Sequence, residues 1–203
     1  MDESPQMTVS APQQFAVTDE MLIARLRAGE QAAGDELVKR YVEPLLAYLQ
    51  RLTRSPATAE DMHQHTWLSV LEHLHRFDEK RAPGGFKAWL FRIATNKVND
   101  LWRSRARQRK VQDGLRLLGE EEAPDALVPM LELENQQSLQ EAINLLPEPQ
   151  RQVVLMRYYG DMKFAQIAEA LGCPLNTALG RMHKALLKLR RAMDPGPSSE
   201  NKP

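Results

Sequence analysis

The sequence has a single cysteine, Cys173, and lacks an apolar run long enough to cross a membrane. An internal disulfide is therefore excluded, and with no secretory apolar core we predict a cytoplasmic protein. The chain also lacks an excess of charge of either sign, because 27 Lys and Arg balance 27 Asp and Glu. Overall composition thus provides no basic footprint for nucleic acid, and any such surface must come from how the charges are distributed.

Alternation of apolar and polar residues, the pattern of a half-buried strand, is missing at useful length. Apolar residues instead recur at spacings of three and four along most of the chain. We predict an all-α fold of two small helical domains joined by an acidic flexible linker, the second a four-helix domain with a helix-turn-helix. The predicted segments are a disordered tail (1–17), a first domain (18–111), the linker (112–134), a second domain (135–193) and a second disordered tail (194–203).

Local signals place the ends of several helices. Pro44 is expected to kink or interrupt a helix predicted over 30–53. Ser55 and Pro56, an N-cap and a first-turn proline, begin a helix that we predict to reach Phe77. A long helix is predicted from Phe86, and the second domain is predicted to have helices at 138–146, 149–159, 164–171 and 175–193.

The zero net charge hides two basic helices separated by an acidic segment. Asp100 is the only acid among the cations of 86–110, and the last helix has no acid before Asp194. The linker carries "GEEEAPD" between them. Two such runs favour two phosphate-contacting surfaces over the alternative of ordinary solvated helix faces.

The helix from Phe86 carries a narrow polar stripe opposite its apolar side. At 100° per residue the stripe consists of Arg92, Asn96, Asn99 and Arg103. Amides flanked by guanidiniums suit base edges and phosphates. Trp89 borders the stripe and is interpreted as a core residue, with base stacking as the alternative.

The helix from Pro56 has a second face that is typical of a docking surface, with Leu68 ringed by polar groups. The residues on this face are Asp61, Gln64, His65, Leu68, Glu72 and His75. The inward side is predicted to contain His63, Trp67, Val70, Leu71, Leu74 and Phe77.

A histidine cluster, "HQHTWLSVLEHLH", raises the alternative of a zinc enzyme. His63 and His65 diverge by about 200° on a helix, so they cannot converge on one ion. No nucleophile and base pair can be singled out either. We therefore predict no metal, no cofactor and no enzymatic activity, and we interpret Cys173 as a buried turn residue.

The last helix is predicted to divide into an apolar and a polar face. The apolar face comprises Leu175, Ala178, Leu179, Met182, Ala185, Leu186, Leu189 and Met193. The polar face comprises Asn176, Thr177, Gly180, Arg181, His183, Lys184, Lys188 and Arg191. Gly180 lies near the centre of the polar face, where it either permits close approach of a partner or is merely tolerated.

Three stretches in this order resemble the extracytoplasmic-function sigma factors, bacterial transcription initiation factors. "ATAEDMHQHTWLSVLEHLHRFD" resembles the polymerase-binding part of their region 2, and "FKAWLFRIATNKVNDLWRSRAR" resembles the adjacent segment that melts and reads the −10 element. "LPEPQRQVVLMRYYGDMKFAQIAEALGCPLNTALGRMHKALLKLRR" resembles region 4, the helix-turn-helix that binds the −35 element. The resemblance extends from about Thr18 to Met193.

The resemblance implies a factor that brings core RNA polymerase to promoter DNA, through the β′ clamp helices and the β flap, and promotes melting. It also implies an anti-sigma protein of unknown identity as a partner. The polymerase-binding residues would be Asp61, Gln64, His65, Leu68 and Glu72. The −10 DNA-binding residues would be Lys80, Arg81, Arg92, Asn96, Lys97, Asn99 and Arg103, with Asn96 capturing a flipped base. The −35 DNA-binding residues would be Asn176, Thr177, Gly180, Arg181, His183 and Lys184.

Several positions depart from the family pattern. His65 stands where a Glu is usual, and Lys163-Phe164 replaces a Ser-Tyr pair, which removes a favourable N-cap. Leu179 and Gly180 replace a common basic residue and Ser, which alters the surface offered to the −35 element. The main alternative is a helix-turn-helix regulator that binds duplex DNA alone. The Asn96 stripe and the Leu68 face distinguish the two hypotheses, because such a regulator needs neither.

Overall fold

The computed structural model describes residues 17–78, 80, 82, 84–115 and 134–193. Within these ranges the regular structure is helical, with no strand. The predicted all-α class is therefore confirmed. The helices are α1 (Asp19–Arg27), α2 (Gln31–Thr53), α3 (Pro56–His73) with a following 3-10 turn (Leu74–Arg76), α4 (Gly85–Leu115), α5 (Glu134–Asn144), α6 (Glu148–Tyr158), α7 (Phe164–Ala170) and α8 (Leu175–Met193).

Short-range signals in the sequence explain where several helices begin and end. The Ser55 side chain accepts a hydrogen bond from the Thr58 N–H, and Pro56 occupies the first turn of α3. α2 ends at Thr53, and Arg54 caps it with a left-handed backbone (φ 58°) while its N–H donates to the Gln50 carbonyl at 2.9 Å. Pro44 does not interrupt α2, so the expected break is absent.

Helices α1 to α4 form the first helical unit around aromatic residues. Tyr48 is fully buried, and its hydroxyl lies 2.9 Å from the Thr95 hydroxyl of α4. The Phe86 ring packs between the rings of Tyr41 (5.6 Å between centroids) and Phe77 (5.9 Å). These contacts fix α4, which carries the polar stripe, against α2 and the end of α3.

Helices α5 to α8 form the second unit. α7 and α8 are joined by a short turn in which Gly172 has a left-handed backbone (φ 59°). The turn is closed by hydrogen bonds from the Gly172 and Cys173 N–H groups to carbonyls of α7. Cys173 is half-buried there, so its interpretation as a buried residue is only partly correct.

The two units are in direct contact. α4 packs against α7, and α2 packs against α6. The ring of Phe91 lies so close to Gly160 that a Cβ on this glycine would sit 2.9 Å from Phe91 Cε1. The buried apolar residues of both units consequently form one continuous cluster.

Several predicted boundaries fall outside the described residues. The tails 1–16 and 194–203, and 116–133 of the predicted linker, belong to this group. α4 extends to Leu115 and α5 begins at Glu134, so both ends of the range 112–134 are helical.

Two apolar faces differ from their predictions. Leu71 was expected inside but is 61% exposed, because the buried stripe of α3 consists of Ala59, Met62, Thr66 and Val70. In α8 the buried residues are Ala178, Met182, Ala185 and Leu189. The prediction that the other apolar residues of α8 are core is wrong, because the helices that pack on α8 cover only this narrow stripe. The exposed residues are Leu175, Leu179, Leu186 and Met193.

Candidate nucleic-acid interface

The four residues of the predicted polar stripe lie on α4, and residues of α6 and α7 contact two of them. The Arg92 Nη2 donates to the Glu169 carbonyl at 2.8 Å and lies 3.2 Å from the Glu169 Oε1. Asn99 accepts at Oδ1 a hydrogen bond of 3.2 Å from the Gln152 Nε2. Arg103, further along α4, lies 3.5 Å from Asp100 in an exposed ion pair. Two of the four predicted stripe residues therefore have partners in the second unit.

Asn96 is exposed, as is Arg103 further along the stripe. Its neighbours Thr95 and Val98 are buried, so the backbone beneath it is held by the core. Asn96 lines a cleft together with Arg92 and Asn99 on one side and Gln152 on the other. Arg181, which was predicted to contact the −35 element, lines the same cleft. The structure thus brings residues from both predicted DNA-binding sets together.

Trp89 lies beside the stripe but is packed against other rings. Its ring is 5.1 Å from that of Phe77 and 5.8 Å from that of Phe86, measured between centroids. It is partly buried, and one edge of it lines a small cavity with Arg92 and Glu169. These contacts support the interpretation of Trp89 as a core residue.

Of the remaining predicted −10 cations, Lys80 and Arg81 precede α4 in the chain and Lys97 lies on it. Lys80 is exposed, and its N–H donates to the Asp78 Oδ1 at 3.0 Å. Arg81 lies outside the described residues. Lys97 is half-exposed on α4. Lys87 donates from Nζ to the Asp161 carbonyl at 2.7 Å, and its partial burial lowers its pKa.

The predicted docking face of α3 is exposed. Leu68, at 56% exposure, adjoins the exposed Leu71, so the apolar part of this face is larger than expected. All five residues predicted to contact polymerase have exposed side chains, namely Asp61, Gln64, His65, Leu68 and Glu72.

The polar face of α8 is accessible near its N-terminal end. Asn176, Thr177, His183 and Lys184 are exposed, and Arg181 is half-exposed. A Cβ placed on Gly180 would have no heavy atom within 4 Å. Packing therefore does not require this glycine.

At the start of α7, Lys163 lacks a side-chain cap, and the Gln166 side chain instead accepts a hydrogen bond from the Lys163 N–H at 3.0 Å.

Side-chain burial perturbs two charged groups where α6 approaches the first unit. Burial lowers the pKa of the Arg151 guanidinium, which lies over the Trp102 ring with 5.9 Å between the Cζ and the centroid. Burial also raises the pKa of the Glu148 carboxyl. Both groups remain partly hydrated, so neither shift by itself indicates a catalytic group.

Two histidines of α3, His63 and His73, make contacts within the helix. His63 accepts at Nε2 a hydrogen bond of 3.1 Å from the Trp67 Nε1. His73 contacts the Ser69 carbonyl, one turn earlier. Across the part of the chain that the structure describes, no three His, Cys, Asp or Glu residues are grouped as metal ligands would be.

Sequence reasoning missed the residues through which the second unit contacts the stripe. Glu169, Gln152 and Gln166 were not singled out, because each is an ordinary polar position on a surface helix. A single sequence holds no signal for pairings between helices so far apart along the chain. The close approach of Gly160 to Phe91 was missed for the same reason.

Comparison with known proteins identifies both units. Residues 37–108 match the family model of Sigma-70 region 2, and residues 136–189 match that of Sigma-70, region 4. The chain is 32% identical over 165 residues to the ECF RNA polymerase sigma factor RpoE of Cereibacter sphaeroides, which covers 81% of this chain and 88% of the relative. It is 26% identical over 187 residues to the RNA polymerase sigma-H factor of Pseudomonas aeruginosa, covering 87% and 94% of the two chains.

Solved structures share the fold. CnrH in complex with the cytosolic domain of CnrY matches with a TM-score of 0.63 and 24% identity, covering 88% of this chain and 99% of CnrH. RpoE in complex with the anti-sigma factor NepR from Bartonella quintana matches with a TM-score of 0.63 and 21% identity, covering 80% and 98%.

The two matched regions define a sigma factor of the sigma-70 family. Within that family, the chain belongs to the ECF sigma factors. Regions 2 and 4 are the parts of such factors that bind RNA polymerase and promoter DNA, so the prediction of a transcription initiation factor is confirmed. A stand-alone helix-turn-helix regulator is not favoured.

As a family, sigma factors are initiation factors rather than enzymes. No helix in the described ranges is long and apolar enough to span a membrane.

Proposed function

We propose that this sigma factor recruits core RNA polymerase through α3, reads the −10 element through α4 and reads the −35 element through α8. It acts in the cytoplasm and catalyses no reaction. The observation that carries this assignment is that three different helices each present one such surface: an exposed apolar and acidic face on α3, an amide and guanidinium stripe on α4, and a polar face on α8.

The α3 surface supports docking of a helical partner such as the β′ clamp helices. Leu68 and Leu71 are exposed next to each other, with Asp61 and Glu72 beside them. An apolar centre with a charged rim is the composition of a specific protein interface. His65 replaces an acid on this rim, which makes the surface less negative than is usual in the family.

The α4 surface supports capture of an unstacked base. The Asn96 side-chain amide is exposed on a helix whose inner side is fixed by the core, and it can donate to and accept from a base edge. Arg92 and Lys97 lie within one turn of Asn96 and supply phosphate contacts. Capture of a flipped base would favour the melted promoter over the duplex.

The α8 surface supports binding in the major groove. Asn176, Thr177 and Arg181 lie at the N-terminal end of α8, the part of a recognition helix that contacts base edges. Gly180 between them removes one side chain from this surface. The −35 preference would then depend mostly on Arg181, His183 and Lys184.

We further propose the division into a region-2 domain (18–111), a linker (112–134) that threads the polymerase, and a region-4 domain (135–193) that also meets the β flap. RpoE from Bartonella quintana was solved in complex with the anti-sigma factor NepR, and CnrH was solved in complex with the cytosolic domain of CnrY. We propose that an anti-sigma protein binds this chain too. Its identity is not indicated by the residues.

The test is run-off transcription with purified core RNA polymerase on a library of genomic fragments. We expect initiation at a discrete set of fragments that core polymerase alone does not use. If the protein gave no initiation above core alone yet shifted duplex DNA unaided, the stand-alone regulator would be the correct assignment. The runs should be repeated at rising salt, because phosphate contacts make promoter binding weaken steeply with salt.

A further inference from the structure

We propose that Leu179 is a specificity-determining residue of the −35 surface, where it contacts the C5-methyl group of a thymine in the major groove. The inference rests on the proposed function, because it takes α8 as the helix that enters the groove at the −35 element. It extends that function, since it assigns a base preference to a side chain that can neither donate nor accept a hydrogen bond.

Leu179 is exposed although α8 has a buried apolar stripe. It is 41% exposed, whereas the preceding Ala178 is fully buried and Met182, three residues later, is only 7% exposed. The cover that the neighbouring helices provide therefore ends between Leu179 and the buried stripe. The core does not use this leucine fully, so most of its contact surface is available to a partner outside the chain.

Leu179 lies beside residues that are proposed to contact the −35 element. Asn176, three residues earlier, and His183, four residues later, are its neighbours on the surface of α8, and both are exposed. All three belong to the N-terminal half of α8, the end of a recognition helix that contacts base edges. Leu179 is thus an apolar position within a polar surface that faces DNA.

Gly180 allows this part of α8 to lie deep in the groove. It points away from the core, at about 160° from both Ala178 and Met182 around the helix. A Cβ placed on it would meet no heavy atom within 4 Å. A side chain here would reach the floor of the groove first and hold the helix away from the bases. Without one, the side chains on the flanks of α8, including Leu179, come closer to the base edges.

The cations of α8 lie on the flank opposite Leu179. At 100° per residue, Arg181, Lys184 and Lys188 are about 140° to 200° from Leu179 around the helix. The Arg181 Nη1 also donates to the Cys173 Sγ at 3.9 Å, on the turn that precedes α8. One flank of α8 therefore suits phosphates, and the other provides an apolar contact through Leu179.

Thymine is the base that an exposed leucine can distinguish. Its edge in the major groove carries a C5-methyl group, which the other three bases lack. Leucine cannot select among hydrogen-bonding patterns, because its side chain has no donor and no acceptor. Burying the methyl group against leucine removes apolar surface from water, and one buried methyl group corresponds to about fourfold in affinity.

Leu186 provides a matched control on the same helix. It is 45% exposed, and it lies within about 20° of Leu179 around the helix axis. It is also seven residues further along, or about 10 Å along the axis, beyond the end of the helix that contacts base edges. A general effect of removing an exposed leucine would appear in both Leu179→Ala and Leu186→Ala, whereas the loss of a base contact would appear only in Leu179→Ala.

The experiment uses the full chain assembled with core RNA polymerase and a promoter fragment identified by run-off transcription. Each thymine of both strands around position −35 is replaced in turn by deoxyuridine, which removes the methyl group and keeps the hydrogen-bonding edge. Competition between the thymine and deoxyuridine fragments, followed by fluorescence anisotropy, gives the ratio of their affinities. The ratio is measured for holoenzymes of the parent, Leu179→Ala and Leu186→Ala.

We expect a thymine at which deoxyuridine weakens binding of the parent about fourfold. Leu179→Ala should bind the thymine fragment more weakly than the parent by a similar factor, and it should bind the thymine and deoxyuridine fragments equally. Leu186→Ala should keep the preference of the parent for thymine.

A parent holoenzyme that is insensitive to the loss of every methyl group around −35 would overturn the proposal. A preference for thymine that persists in Leu179→Ala, or that disappears equally in Leu186→Ala, would overturn it too. In each of these cases the holoenzyme still initiates transcription, so the proposed function stands. A chain that gives no initiation above core polymerase alone refutes the proposed function, and the Leu179 contact with it.

Discussion

Gln152 and Asn99 are joined across the two helical units by a hydrogen bond of 3.2 Å, although 53 residues separate them in the chain. This contact, with that of Arg92 to Glu169, makes the second unit part of the environment of the α4 stripe. The stripe is consequently both a candidate DNA surface and an intramolecular interface.

Replacing Asn96 by alanine is expected to leave polymerase binding unchanged and to impair open-complex formation. The residue is exposed, so its loss creates no cavity, but a captured base would lose its amide partner. A bidentate contact between an amide and a base edge contributes about 1 to 3 kcal/mol, or roughly fivefold to 150-fold in the amount of open complex. Permanganate footprinting measures melting. Gln108→Ala, exposed on the same helix, is the control, and an equal defect in both variants would contradict the assignment.

Replacing Leu68 by alanine is expected to weaken binding of core polymerase about tenfold without lowering the thermal unfolding temperature. The side chain is 56% exposed in the isolated chain, so it contributes to docking and not to the core. Anisotropy of the labelled protein titrated with core polymerase measures the affinity. Leu145→Ala, an exposed leucine in the second unit, should behave like the parent. Unchanged affinity in Leu68→Ala would place the polymerase surface elsewhere.

Two glycine substitutions are expected to change the free energy of unfolding in opposite directions. Gly180→Ala should stabilise the protein by about 1 kcal/mol, because the position is helical and an added Cβ meets no heavy atom within 4 Å. Gly160→Ala should destabilise it, because its Cβ would lie 2.7 Å from the Met156 carbonyl oxygen and 2.9 Å from Phe91 Cε1. Urea unfolding measures both. A destabilising Gly180→Ala would show that this backbone needs glycine.

The free energy of unfolding is expected to depend on the protonation of His63. Burial lowers the pKa of His63, and its neutral Nε2 accepts from Trp67. Because the folded state disfavours the charged ring, this contribution is complete above the unfolded pKa of about 6.5 and decreases as the pH falls below it. The urea midpoint of the parent should therefore fall more between about pH 7.5 and about pH 5.5 than that of His63→Gln.

The control for this comparison is His183→Gln, which removes an exposed histidine. It should keep the pH dependence of the parent. Burial raises the pKa of Glu148, which acts in the opposite direction over the acidic range. The contribution of His63 is therefore the difference between parent and variant and not the slope of either. Parallel midpoints for the parent and His63→Gln would contradict it.

Much of the fold could be predicted because helix signals are local. Ser55 with Pro56 marked the start of α3, and the spacing of three and four located Leu37, Leu45 and Leu52 in the core of α2. The face predictions were less successful for α3 and α8. Leu71 and Leu179 lie at the edge of their apolar stripes, and whether an edge residue is buried depends on how widely the neighbouring helix covers it.

By itself, the sequence determined the helical class, the order of the helices and the residues that form the α4 stripe, since each follows from side chains within a few turns of one another. The tertiary structure alone decided what the stripe touches. Arg92 and Glu169 are 77 residues apart, and no short-range pattern connects them. Their pairing results from the packing of α7 on α4, in which burial around Phe91 and Gly160 aligns polar groups that neither helix specifies alone.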